Sequence, residues 1–302
     1  IAAAKIALLT SDQVVGLNNV QLGSFTSDQI RSLTSDQIKV LETRDVIGLK
    51  SDQINKLTTD QISKLTSDQI VALSSTQAPK LTAGQIAALS TIQVSKLGVD
   101  NLKVLSYDAI EALSVSQAKA LSSTQVAALT STQFRHLGTS AIAALASDRI
   151  SNLTNDQVAA ITTDQIQALT TSQISNLSST QLGKLSTSAV GAMSAAQVKA
   201  IDSVAIANLS SDQVKAIRAD AIAGLSSAQI SQLVATSQVK AMTTAQVNAL
   251  SSAQLKALDS VQMQNLSTAQ ISAVNALQVK GIDSEDLNAL TTDQIQAFST
   301  AA

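Results

Sequence analysis

An eight-residue phrase repeats from one end of the chain to the other. Leu57-Thr58-Thr59-Asp60-Gln61-Ile62-Ser63-Lys64 is one copy, and Leu65-Thr66-Ser67-Asp68-Gln69-Ile70-Val71-Ala72 is the next. With the octad numbered from its Leu, position 1 runs Ile1, Leu9, Leu17, Phe25, Leu33 and on in steps of eight to Leu233. After a slip of one residue at 234–241 it resumes at Met242 and reaches Phe298. Position 6 runs Ile6, Val14, Leu22 and on to Leu287 and Ile295. Both positions are apolar throughout, reduced in size only at Ala78 and Ala118. Each slip would throw the apolar pair out of phase, so a single slip implies a strong constraint.

An octad fits neither a continuous helix nor a strand. At about 100° per residue, an unbroken helix would rotate its apolar stripe by roughly 80° per octad, and no partner could follow it. Strands want apolar residues two apart. Here the spacings alternate between five and three.

The polar half of the octad points to a helix that restarts every eight residues. Position 2 is mostly Thr, Ser, Asp, Asn or Gly, with Glu42, Lys50, Ala146 and Arg218 among the exceptions, and position 5 is mostly Gln. That is the S/T-x-x-Q capping box, in which hydroxyl and Gln each satisfy the other's backbone N–H. Asp is frequent at position 4 (Asp12, Asp28, Asp36, Asp60, Asp156, Asp164), where a carboxylate meets the positive end of a helix. Positions 1 and 6 then form the hydrophobic staple across the helix start. Position 8 is often Ala, which suits close packing, and position 7 varies as a solvent-facing site should. Pro79, in an octad whose position 6 is only Ala78, predicts an irregular copy near 78–80.

A helix this short is not stable alone in water, so neighbouring copies must share a core. The expected fold is all-α: a solenoid or superhelix of short N-capped helices, one per eight-residue repeat, in a single array over 1–302. Octads lacking Gln at position 5 (Asp45, Ala109, Ala141, Ala189, Ala205, Ala221, and Asp286 after the slip) fall sixteen residues apart or multiples of it. Lys5, Asn101 and Arg149 fall in the other phase. This favours two octads per turn.

Composition leaves little for chemistry. Apolar residues are 45% of the chain but aromatics only 1%, as a thin coil without a deep centre would need. There is no Cys, which excludes disulfides, thiolate metal sites and Cys nucleophiles. The net charge of −2, with both signs interspersed, gives no electrostatic footprint for nucleic acid. No apolar run is long enough for a membrane span. No signal peptide is visible and the first residue is Ile1, so the chain reads as a segment of a longer polypeptide or a processed product.

His136, the only His, sits at position 8 and reads as a variant helix-end residue, with no partner suggested for proton exchange. The Asp at position 4 is a candidate calcium ladder, but Thr76, Thr124, Ser172, Ala228 and Ala245 interrupt it, and dipole compensation already explains it. The Gln is a candidate for a ladder between turns, but the capping box already accounts for it. No catalytic, cofactor-binding or metal-binding residue is assigned, no cofactor is expected, and the chain is read as no enzyme.

Ile161 to Leu169 and Leu290 to Phe298 carry the phrase Leu-Thr-Thr-Asp-Gln-Ile-Gln-Ala-Leu with one end residue changed. In this the whole chain resembles the octapeptide-repeat regions (LTTxQIxA type) of large bacterial secreted or surface adhesin-like proteins. The resemblance implies an extracellular structural role. Leu153 to Ile161 also resembles the opening of a transcription-activator-like effector repeat, Leu-Thr-x-x-Gln-Val-x-Ala-Ile. That match ends after one short helix, without the base-reading loop or basic residues of those repeats, so it implies no nucleic-acid partner.

The expectation is a structural protein of the bacterial cell surface or extracellular matrix, acting as a stiff spacer or a self-assembling filament or sheath subunit. Self-association is the expected partner relation. The alternative is an adhesin-type binding module contacting glycans or surfaces. Against it, the only aromatics are Tyr107 and three Phe at core positions.

Overall fold

A computed structural model describes residues 1–298. Among them every octad forms one short helix, and no strand occurs. Residue contacts divide the chain into two compact units, Ile1–Asn152 and Leu153–Ala302. Each is a solenoid of stacked turns.

The helices start where the capping box places them. Thr82 precedes the helix Ala83–Ala88, its hydroxyl accepts from the backbone N–H of Gln85 at 3.2 Å, and its own N–H donates to Gln85 Oε1 at 2.8 Å. The same reciprocal pair opens Thr59–Lys64 in the first unit and Ser211–Ala216 in the second. Where position 2 is Lys50, half of the device survives, and the Lys50 N–H donates to Gln53 Oε1 at 2.6 Å. Each helix ends after three to six residues. Position 1 of the next octad is then extended, as at Leu89 with φ −65° and ψ 140°, and turns the chain away.

Away from the first and last described turns, position 6 lies fully inside, position 1 nearly so, and most position 5 side chains are buried with them. The core therefore contains a row of amides as well as aliphatic side chains. Their hydrogen bonds explain it. Gln85 Nε2 donates to the carbonyl oxygens of Ile54 and Leu57, at 2.9 and 2.7 Å, in the preceding turn. Gln278 does the same to Val247 and Leu250, at 2.8 and 2.6 Å, in the second unit. The main accepting groups are at positions 6 and 1, and in several rungs the position 7 carbonyl between them also accepts, as Arg31 does from Gln61 at 3.2 Å. The position 6 carbonyl also receives a backbone N–H, as Ile54 does from Leu57. The position 1 carbonyl points out of the extended bend and receives none, so the Gln amide is what satisfies it. The ladder between turns and the capping box are thus made by the same side chain. The sequence-based view that capping alone accounts for this Gln is corrected.

The turn is also longer than the sixteen-residue expectation. Helices pack on the helix three places along, as Ser35–Lys39 on Thr59–Lys64 and Thr163–Ala168 on Thr187–Ala192. Gln bonds span 28 and 31 residues. One turn therefore holds between three and four octads, not two. The positions lacking Gln differ in chemistry instead. Asn101 and Arg149 still reach one carbonyl of the preceding turn, those of Leu73 at 2.7 Å and Leu121 at 3.2 Å, whereas an Ala has nothing to donate.

Both predicted irregularities occur, and neither breaks the ladder. Pro79 turns its octad into a 3-10 helix, Ala78–Lys80, yet Gln77 Nε2 still reaches Val46 and Leu49 at 2.8 and 2.7 Å. The inserted residue at 234–241 is taken up as one wide turn of π-helix, Ala235–Val239. Gln238 then spans 32 and 29 residues to reach Ile206 and Leu209. By Gln270 the spans return to 31 and 28.

Capping alone would accept Glu as readily as Gln. The variant Gln85→Glu keeps the capping oxygen, loses both donated bonds and sets a carboxylate near two carbonyls. It is expected to destabilise the protein by about 2 kcal/mol or more in urea unfolding. Unchanged stability would show that the inter-turn bonds carry nothing.

Candidate functional site

The close approach of successive turns determines which surface residues meet. Position 8 lies over position 3 of the octad three before it. At Gly48 the contact is so tight that an added Cβ would stand 2.6 Å from Asn19 Cβ. Small residues at position 8 therefore follow from the stacking.

The same geometry brings together the only Tyr and the only His. Tyr107 is at position 3 and His136 at position 8, 29 residues on. Their rings stack with centroids 4.8 Å apart and planes 6° from parallel. Tyr107 remains 47% exposed. Glu111, at the end of the helix Tyr107–Glu111, places Oε2 4.0 Å from His136 Nδ1. Sequence reading suggested no partner for this ring, and the structure supplies both an aromatic and a carboxylate. The signal was the separation of 29 residues, which means nothing until the turn length is known.

Beside the stack lies an open surface hollow of about 320 Å³, lined by Lys103, Leu105, Ser106, Tyr107, Thr130 and Gln133. Gln133 is committed to the ladder, donating to Leu102 and Leu105 at 2.8 and 3.0 Å. Thr130 is committed to the cap of Ser131–Arg135. The arrangement can hold a flat or cationic group against an aromatic face.

Exposed ion pairs elsewhere are local. Arg149 Nη1 donates to both oxygens of Asp148, at 2.6 and 2.9 Å, and this hydrogen bond holds the Asp148 carboxyl below the usual range. Arg218 lowers Asp220 in the same way. Among the described residues no helix is long and apolar enough to cross a membrane.

The one-helix octad and the amide ladder define an octapeptide-repeat solenoid. The family model of the ALTTAQ repeat matches residues 38–75, 142–179 and 234–268, and these regions carry that repeat. Ala168-Leu169-Thr170-Thr171-Ser172-Gln173 follows the lettering of the name, from position 8 through position 5, except that Ser172 stands in place of its second Ala. The third match contains the one-residue slip. No curated protein matches the chain.

The stacking of Tyr107 on His136 couples the two residues energetically. A double-mutant cycle with Tyr107→Ala and His136→Ala, read by urea unfolding, should give a coupling of about 0.5 kcal/mol or somewhat more. Strict additivity would mean that the rings do not interact in solution.

Proposed function

We propose that this chain is a structural repeat protein of the bacterial cell surface or extracellular matrix, a stiff spacer that also associates with itself. The observation that carries the reading is the ladder, which commits position 5 in most octads to holding one turn against the last. With positions 1 and 6 in the core and position 2 in the cap, most of each octad is occupied by architecture. On this reading the chain is no enzyme and reads no nucleic acid.

Self-association draws on the first turn of the first unit and the last described turn of the second. Gln13 and Gln21 lie in the first turn, exposed, with no acceptor in a preceding turn for Nε2. In the same turn Ile1, Leu9, Leu17 and Phe25 are only partly covered. At the other end the position 6 residues Leu287 and Ile295 are 37% and 45% exposed. No described residue follows a full turn later to donate to their carbonyls. One end thus offers donors and position 1 side chains, and the other offers acceptors and position 6 side chains. These are the two halves of the internal joint, so a second copy, or further octads of a longer polypeptide, can continue the coil head to tail.

Light scattering and electron microscopy of the purified chain at rising concentration test this. The expected result is linear polymer of uniform diameter, reduced in Gln13→Glu/Gln21→Glu. A monodisperse monomer at high concentration would overturn the self-association. A second reading, an adhesin-type module that contacts glycans, draws on the exposed Tyr107 and its adjoining hollow. Glycan binding that is lost in Tyr107→Ala would favour it.

A further inference from the structure

One fully buried rung of the ladder has no hydrogen to give. Asp45 stands at position 5 of its octad and is 0% exposed. Its Oδ2 accepts from the backbone N–H of Glu42 at 3.1 Å, as a Gln Oε1 would. Its Oδ1 is buried and has no hydrogen-bond partner. Counting back 31 and 28 residues, as the Gln rungs do, this rung belongs to the carbonyls of Val14 and Leu17. Where a Gln would donate an amide N–H to two oxygens, the sequence supplies a third oxygen.

We propose that Asp45 is a proton-binding rung: in acid its carboxylate takes up one proton from solution, and the joint to the preceding turn becomes firmer than at neutral pH. A buried carboxylate without a donor is costly in its charged form, and a proton on Oδ1 removes the charge and restores a donor. Burial pushes this carboxyl above its usual range, against the Glu42 N–H and Arg44, which pull it down, while the Glu42 charge adds to the rise.

The charged surroundings are few. Arg44 Nε is 3.7 Å from Oδ1, but Arg44 is mostly exposed and pairs more closely with Glu42, at 2.8 Å. Of the helices packed against this one, Asn19–Gly23 carries no charged residue, and Ser67–Val71 carries only Asp68, which is exposed.

The second unit has a counterpart. Asp286 also replaces Gln at position 5 and is buried. Its rung belongs by register to Leu255 and Leu258. Burial raises this carboxyl too, opposed by the Ser260 hydroxyl, which donates to Oδ1 at 3.0 Å, and reinforced by Asp283, Glu285 and Asp259. Lys256 lines a surface hollow together with Asp259, Asp283, Glu285 and Asp286.

The sign follows from linkage. A carboxyl raised in the folded state binds a proton there before it does in the unfolded chain. Its stabilising effect is complete below the unfolded value of about 3.9 and is lost as pH rises through the folded value.

The test uses the full chain. Carboxyl-carbon NMR follows the titration of Asp45, and hydrogen exchange of the segment 41–48 is compared between the wild type and Asp45→Gln at pH 7 and pH 4. Gln is what neighbouring octads carry, so the variant keeps the repeat. The expected midpoint for Asp45 lies above about 3.9. Exchange in Asp45→Gln should be about tenfold slower than in the wild type at pH 7, and the gap should shrink at pH 4. A midpoint at or below about 3.9, or a gap of equal size at both pH values, overturns the proposal.

Discussion

The bond from a position 5 amide to the position 1 carbonyl of the preceding turn is the contact on which the rest of this structure depends. A chain that restarts its helix every eight residues must bend every eight residues, and each bend turns a carbonyl out of the helical pattern. Buried without a donor, that carbonyl would cost about as much as the staple above it contributes. The Gln side chain meets this need while capping its own helix. Local helix initiation and long-range stacking are therefore joined in one residue. Neither could be optimised without the other.

The departures show how much freedom this leaves. The ladder constrains where an amide arrives, not how the intervening backbone gets there. Hence one extra residue becomes a π turn and Pro79 becomes a 3-10 turn, and both keep their bonds to the turn before. Donor chemistry is relaxed too, since Asn101 and Arg149 each still reach one carbonyl. The Ala copies forgo the bond, and the two Asp copies invert its polarity. Stability in such a coil is spread over many similar joints, so single weak joints are tolerated.

Most of what happens within one octad was legible in the sequence, although the 3-10 helix Ala205–Asn208, in an octad without Pro, was not. The capping box, the staple, the core role of positions 1 and 6, and the disturbances at Pro79 and 234–241 are local events written in local residues. What closes over a whole turn was not. The number of octads per turn depends on the angle of each bend, to which an eight-residue period is blind, and the sixteen-residue spacing of Asp45, Ala109 and Ala141 misled. The meeting of Tyr107 with His136 stayed hidden for the same reason. One clue to the ladder was present. None of the three Glu, at 42, 111 and 285, stands at position 5, although a capping box accepts Glu and the helix dipole would favour it. Only a demand for a donor explains a uniform preference for the amide.

Exchange of the Gln side-chain amide protons tests the ladder most directly. The Nε2 hydrogens of an interior residue such as Gln85 lie between two carbonyls, while Gln13, in the first described turn, makes only its capping bonds. In dilute, unassociated chain, strong protection at Gln85 and exchange at the rate of a free amide at Gln13 are the predicted results. Equally fast exchange at both would mean that the turns are not held together by these bonds.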